Sequence, residues 1–157
     1  MADLDSFDIR ILEALQSNAQ LTNSDLADQA RLSASQISRR VQRLEQDDYI
    51  DRRVAILNSS KLGLGVTAFV MIVMRTHAES EILAFRERLL RLPEVQECAK
   101  ITGDGDYMLR VITADLQSYN RLLTEYLLKA SEVASVRSSI VLEEIKRTTA
   151  VPLRTSR

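Results

Sequence analysis

The 157-residue sequence predicts an α+β fold in two parts: a bundle of three helices, then a four-stranded antiparallel sheet carrying two helices. Three observations lead to this prediction. The first 50 residues hold three stretches with apolar residues at helical spacing, each preceded by a helix-start signal. The stretch NSSKLGLG (58–65) concentrates turn residues and two of the four glycines. Beyond it, strand and helix patterns follow in the order β-α-β-β-α-β.

The composition is that of a globular protein, with 45% hydrophobic and 27% charged residues and a net charge of −1. We find no secretory signal and no apolar run of the roughly 18 residues that a membrane span needs. We therefore expect a cytoplasmic protein with no membrane partner. The single cysteine, Cys98, and the single histidine, His77, exclude an internal disulfide and a cysteine/histidine zinc cluster. We expect Cys98 to pack as a small strand residue, His77 to lie in a loop, and no metal or cofactor to be bound.

The first two helices are predicted from the segments 4–15 and 23–30. In LDSFDIRILEAL, Asp5 or Ser6 can cap a helix, and Ile11, Leu12 and Leu15 give it an apolar face. Thr22 or Asn23 is the expected cap of the second helix. That helix carries the apolar Leu26 and the small residues Ala27 and Ala30, which allow the next helix to cross it closely.

A third helix is predicted to begin at about Ala34. Ser33 and Gln36 have the spacing of a capping box, in which each side chain bonds to the backbone N–H of the other residue. Ile37, Val41 and Leu44 then form one apolar stripe. Two short helices joined by a tight turn are typical of a helix-turn-helix, whose second helix reads DNA in the major groove.

The opposite face of this third helix has side chains that suit double-stranded DNA. Arginine grips phosphate or guanine, glutamine reads adenine, and serine bonds to either. The predicted DNA-binding residues are Ser35, Gln36, Ser38, Arg39, Arg40, Gln42 and Arg43. A merely solvated face is the alternative, but 31–43 holds four arginines and no acid. Residues 1–57 carry seven arginines and ten acids, so the positive charge is local.

The predicted domain boundaries follow the composition. Residues 1–57 form the helix-turn-helix domain, in which YIDRRVAILN (49–58) reads as an exit strand or a short ribbon that doubles as a wing. Residues 58–65 are the linker and 66–146 the second domain. The tail, 147–157, together with Lys146 carries four basic residues and no acid. It is either a disordered end or a weak second phosphate contact, and we favour the former.

The second domain is predicted from six segments. The apolar run from Val66 reads as a buried strand, and 78–92 as a helix stopped by Pro93. Two strands flank the hairpin signal at 103–106. A helix over 116–130 and a last strand over 133–145 complete the series. This order folds into a ferredoxin-like sheet with both helices on one face.

Such a sheet leaves its other face bare, and a second copy of the chain is the economical cover. A homodimer also places two helix-turn-helix units on a two-fold axis, which matches palindromic DNA half-sites. We expect Val66–Met74 and Ser138–Ile145 to form much of the dimer core. A charge introduced at Val70 tests this prediction if that side chain points into the interface.

Taken together, these segments resemble the leucine-responsive regulatory protein/AsnC (Lrp/AsnC) family of transcription regulators over nearly the whole chain. The resemblance rests on LDSFDIRIL, SDLADQARLSASQISRRVQRLEQ, KLGLG, LPEVQECAKITGDGDYML and SSIVLEEIKRTTAVPL, in that order. It implies a winged helix-turn-helix, an effector-binding domain, dimers assembled into octamers, and control of amino-acid metabolism genes. One departure is Asp48, which stands where relatives usually have glycine; aspartate tolerates the left-handed conformation better than most residues.

The resemblance also implies an effector site, commonly for an amino acid, bound between dimers. The matching residues are Thr102, Gly103, Asp104, Gly105, Asp106, Tyr107, Ser138 and Ser139. Glycine N–H groups suit a carboxylate, and we expect Asp106 to pair with an ammonium. On its residues alone, the loop 103–106 is better explained as a tight turn, and only the resemblance makes ligand contact equally plausible.

Two other functions stay open. Decarboxylases acting on tetrapyrroles resemble this architecture, but we find no titratable cluster poised for catalysis and expect no enzyme activity. An architectural DNA-organising protein is the third possibility, driven by phosphate contacts and DNA bendability. Footprinting separates it from a regulator, because uniform protection indicates architecture and a few spaced sites indicate regulation.

Overall fold

The computed structural model describes residues 4–76 and 78–153. The chain forms two compact units, one reaching to Ile56 and including the segment from Lys146, the other spanning Leu57–Ile145. His77 and residues 154–157, about which we made predictions, lie outside the described residues.

The first unit is the predicted three-helix bundle. It consists of α1 (Ser6–Ser17), α2 (Asn23–Ala30) and α3 (Ala34–Gln46). Each helix begins with a capping box, on Asp5, Thr22 and Ser33 respectively. Because these boxes satisfy backbone N–H groups that no helix turn reaches, they fix where each helix starts. The core contains the predicted apolar residues Ile11, Leu12, Leu15, Leu26, Ile37, Val41 and Leu44.

Two left-handed residues shape this unit. Arg31 (φ 57°) closes α2 and makes the tight turn into α3, and Asp48 (φ 59°) follows α3. The expectation that Asp48 accepts the left-handed conformation is therefore met. The exit strand predicted over 49–58 is wrong, because these residues form no strand within the described chain. Val54 and Ile56 are more than 60% exposed there, without a neighbouring strand to pair with.

The C-terminal segment is held on the first unit as far as it is described. The Val151 N–H donates to Gln16 Oε1 at 2.6 Å, and Gln16 Nε2 donates to the Val151 carbonyl at 3.2 Å. Leu153 packs against the bundle core. The prediction of a disordered end is therefore wrong for 146–153, the part of this segment that the structure describes.

The second unit is the predicted ferredoxin-like sheet with two helices. After a 3₁₀ turn (Ser60–Leu62) come β1 (Val66–Met74), α4 (Glu79–Leu90), β2 (Val95–Lys100), β3 (Tyr107–Thr113), α5 (Leu116–Leu122) and β4 (Val133–Ile140). The strand order is β2-β3-β1-β4, with every neighbour antiparallel.

Two element boundaries differ from the prediction. The helix expected over 116–130 changes to a π-helical turn at Leu123–Leu127. The last strand ends at Ile140 instead of residue 145. Its pairing with β1 ends there: Ala68 pairs with Ile140, and the Val141 N–H donates a last hydrogen bond to the Thr67 carbonyl at 2.9 Å.

The two faces of the sheet have different surroundings. Ala68, Val70, Ile72 and Met74 of β1 pack into the core beneath the helices. Val70 therefore does not point away from the helices, and the condition for the test at Val70 is not met. A strand alternates sides, which puts Phe69 and Met71 on the opposite face. Phe69 is 44% exposed there. No helix among the described residues is long and apolar enough to cross a membrane.

Candidate nucleic-acid interface and effector loop

The exposed side of α3 retains five of the seven predicted DNA-binding side chains. Ser35, Gln36, Ser38, Arg39 and Gln42 are all exposed. The Gln36 side chain already makes one hydrogen bond within the protein, because its Oε1 accepts the Ser33 N–H at 3.0 Å in the capping box. Among the described residues, Arg39 has no ion-pair partner.

Arg40 and Arg43 turn toward α1 instead. Arg40 Nη1 lies 2.8 Å from Asp5 Oδ2 and 2.7 Å from Asp8 Oδ1, while Arg43 Nη2 lies 2.5 Å from Asp8 Oδ2. The Arg40 guanidinium also stacks over the Phe7 ring, with its carbon 5.5 Å from the ring centroid. The structure therefore separates the three arginines into one on the open face and two in an ion-pair network.

Asp8 is the centre of this network. Its side chain is 1% exposed, and its Oδ2 also accepts the Asp5 N–H as half of the α1 capping box. Burial lowers the pKa of Arg40, but its bonds to Asp8 and Asp5 outweigh burial and raise that pKa above its usual value. Arg40 thus stays charged and paired with the two carboxylates.

The pKa of Asp5 moves the opposite way. Slight burial raises it, but the Asp8 N–H and the Arg40 guanidinium stabilise the carboxylate and bring the pKa below its usual value. The acids of the first helix and the arginines of the third therefore form one charged, hydrogen-bonded unit.

The predicted effector loop joins β2 to β3 and closes onto β1. The Asp106 N–H donates to the Ile72 carbonyl at 2.9 Å, and the Ile101 N–H donates to the Asp106 carbonyl at 3.0 Å. The Asp106 carboxylate accepts the Met74 N–H at 2.7 Å. That carboxylate therefore has a structural partner already.

The tip of the loop is open. Thr102, Gly103 and Asp104 are exposed, and Gly103 takes a φ of +108°. The N–H groups of residues 103–105 find no acceptor within the described residues. Gly105 is buried, and a Cβ built there would lie 2.5 Å from Met71 Cγ. Glycine is required at 103 by its positive φ and at 105 by lack of space.

The other predicted effector residues lie apart from this tip. Tyr107 is buried in the core, its ring 5.8 Å from that of Phe85. Ser138 and Ser139 are exposed on β4, where they pair with Val70 and Phe69 of β1. Strand β1 separates them from the loop, so a single chain does not bring the whole predicted set together.

Two features were missed by the sequence reasoning. Asp8 was predicted only as a residue of the first helix, although an acid three residues after an N-cap residue is typical of a capping box. The loop's contacts to Met71 and Met74 depend on strand register, which no local pattern gave. Cys98 lies in β2 as expected, but it is exposed instead of packed.

Comparison with known proteins decides the family. Residues 67–151 match the family described as the Lrp/AsnC ligand binding domain, and residues 4–51 match a winged helix-turn-helix DNA-binding family. The chain belongs to the Lrp/AsnC family. It contains no cluster of three metal-ligating side chains among the described residues.

Similar proteins span the full length of the chain. The Bkd operon transcriptional regulator of Pseudomonas aeruginosa is 37% identical over 98% of this chain and 100% of that protein. The glutamate uptake regulatory protein of Zymomonas mobilis is 37% identical over 96% of this chain and 91% of that protein. A crystal structure of a Neisseria meningitidis transcriptional regulator in complex with L-Met has a TM-score of 0.92 and 35% identity, covering 95% and 96% of the two chains.

The Lrp/AsnC assignment settles the functional class. The family and these relatives are transcriptional regulators, not enzymes, as the sequence predicted. The partners are DNA, through the helix-turn-helix, and a small-molecule effector, through the ligand-binding domain.

Proposed function

We propose that the protein is a regulator whose binding to specific DNA sites responds to a free amino acid and controls genes of amino-acid metabolism. The names of the relatives support this class of effector: one regulates glutamate uptake, and another was crystallised with L-Met. DNA binding by this protein is consistent with a cytoplasmic location.

The observation that carries the proposal is the open tip of the β2–β3 loop. The N–H groups of residues 103–105, which have no backbone acceptor among the described residues, are our candidate donors to a carboxylate. The exposed Asp104 carboxylate is available for an ammonium, whereas Asp106 is held by the Met74 N–H. Asp104 is therefore the better candidate for the ammonium partner, with Thr102 and Gly103 beside it.

Tyr107, Ser138 and Ser139 have less direct parts in this proposal. Tyr107 supports the loop from the core. The two serines, across β1 from the loop, contribute if a second subunit brings its β4 to the first subunit's loop. A site between subunits thus fits their separation.

We assign DNA contact to the exposed face of α3. Ser35, Gln36 and Ser38, near the start of the helix, are placed to reach base edges, since the N-terminal residues of a recognition helix contact bases. Arg39 and Gln42 are placed to contact phosphate or bases. Each DNA-binding unit then reads one half-site.

The working assembly in this proposal is a homodimer, with octamers as the higher form. The sheet face opposite the helices carries Phe69, 44% exposed, beside Met71. A second copy that covers this face removes it from water and supplies the two-fold axis that a palindromic operator requires.

Thermal-shift screening of the twenty amino acids tests the effector assignment. A ligand at 100 times its dissociation constant stabilises the folded state by about 2.7 kcal/mol. We expect one or a few amino acids to raise the melting temperature of the wild type, and Asp104→Asn to lose the shift while melting normally without ligand. If no amino acid shifts the wild type, the proposed effector class is wrong.

A further inference from the structure

We propose that Asp8 is a positioning residue for DNA binding. It holds Arg40 and Arg43 in ion pairs within the protein, so that Arg39 is the arginine of α3 that contacts phosphate. The inference rests on the proposed DNA face of α3. It adds a division among three neighbouring arginines that their sequence spacing does not give.

The geometry of the Asp8 carboxylate carries the inference. Its two oxygens are each taken by a different arginine, at 2.7 Å for Arg40 and 2.5 Å for Arg43. Asp8 is 1% exposed on its side chain, so the carboxylate cannot be solvated in place of its partners. Withdrawing both arginines toward DNA would leave a buried charge unpaired, which is strongly unfavourable.

Arg40 is fixed by more than Asp8. Asp5 Oδ2 accepts from the same Nη1 at 2.8 Å, and the Phe7 ring covers the guanidinium. The side chain of Arg40 is 26% exposed, against 42% for Arg43. Three independent contacts therefore oppose its rotation onto a phosphate.

The arrangement has a consequence for specificity. Phosphate contacts raise affinity for every DNA sequence equally, whereas base contacts discriminate. By withholding two arginines from phosphate, Asp8 lowers non-specific affinity and leaves discrimination to the polar side chains of α3. It also ties the orientation of α3 to α1 inside the same unit.

The test is the salt dependence of binding to a mixed-sequence DNA duplex by the full-length protein. Each phosphate contact contributes about 0.9 to the slope of log affinity against log salt. We expect Arg39→Gln to reduce the slope by about that amount per DNA-binding unit, and Arg40→Gln and Arg43→Gln to leave it unchanged. A merely structural role for Asp8 moves stability and not this slope.

Asp8→Asn provides the reverse experiment. We expect it to release at least one arginine and to increase the slope by about 0.9 or more per unit. Glu13→Gln, which removes an exposed acid from the same helix, is the matched control for lost negative charge. If Asp8→Asn fails to fold, the salt slopes of Arg40→Gln and Arg43→Gln test the proposal without it.

The outcomes distinguish the role of Asp8 from the proposed DNA face of α3. Slopes lowered by Arg40→Gln and Arg43→Gln as much as by Arg39→Gln overturn the role of Asp8 and leave the DNA face standing. An unchanged slope in Arg39→Gln as well means that α3 does not contact phosphate, and both proposals fall.

Discussion

The carboxylate of Asp106 accepts a hydrogen bond from the backbone N–H of Met74 at 2.7 Å. The bond joins the effector loop to the end of β1, at the point where the register between β1 and β4 shifts. The Asp106 carboxylate thus accepts the Met74 N–H beside the irregular pairing of β1 with β4. Asp106 therefore has a structural role, and Asp104 is left to face solvent.

This bond predicts that Asp106→Ala destabilises the second unit. Hydrogen bonds to charged groups contribute about 1.5–3 kcal/mol, and the Met74 N–H would lose its acceptor. Asp106→Asn, which keeps a carbonyl oxygen, is expected to lose less. Denaturant unfolding measures both, with Asp104→Ala as the exposed control. Equal stability of Asp106→Ala and wild type would show that the bond contributes nothing.

A second prediction concerns the tight contact under Gly105. Gly105→Ala places a Cβ against the Met71 side chain, 2.5 Å from its Cγ before relaxation. We expect a loss of about 1–3 kcal/mol, the usual cost of overpacking. In a Met71→Ala background the same change is expected to cost much less, because its obstacle is gone. Additive effects in this double-mutant cycle would mean that the two residues do not clash.

The dimer proposal predicts that Phe69→Glu gives monomers. The residue lies on the sheet face opposite the helices, where a second copy would bury the new charge unpaired. Leu90→Glu is the control, since Leu90 is 81% exposed on α4. Size-exclusion chromatography with light scattering reads the mass of each. A dimeric Phe69→Glu protein would place the interface elsewhere.

A pH-dependent contribution to stability is expected from Glu132. Burial raises its pKa, but hydrogen bonds and the nearby Arg88 guanidinium, 2.5 Å away, lower it below the usual value. The pKa is thus lower in the folded than in the unfolded chain. The stabilisation is fully present above the unfolded value and disappears as pH falls through the folded one.

Glu132→Gln tests this pH dependence. We expect it to lower the free energy of unfolding by about 1–2 kcal/mol at neutral pH, a value discounted because Arg88 is partly exposed. The gap to wild type should narrow below pH 4.5, the usual pKa of this group. A gap independent of pH would exclude ionisation as its cause.

Local patterns predicted most of the fold. Ser33 with Gln36 fixed the start of α3, and the chain from Tyr107 to Thr113 formed the strand expected of it. These features depend on residues a few positions apart. Capping and alternation operate over that distance, so a single sequence is enough to read them.

Features that depend on distant pairing were less predictable. Residues 51–57 have strand-forming composition but no strand beside them in the described chain. The π-helical turn after Leu122 and the end of β4 at Ile140 likewise follow from packing and register.

The candidate sites show the same limit. The arginines of α3 were identified by type and spacing, but their division depends on Asp8, which lies 32 residues before Arg40. Similarly, the two aspartates of the effector loop are distinguished by the Met74 N–H, a donor on a distant strand whose side-chain partner is Asp106.

We expect an amino acid bound at the β2–β3 loop to change DNA binding without the loop touching DNA. Such coupling requires the effector to bind two assembly states with different affinity. The most direct measurement titrates the effector into wild type and Asp104→Asn bound to an operator fragment. We predict equal ligand-free affinity and a response in the wild type alone. A full response in Asp104→Asn would contradict the assignment of the loop as the effector site.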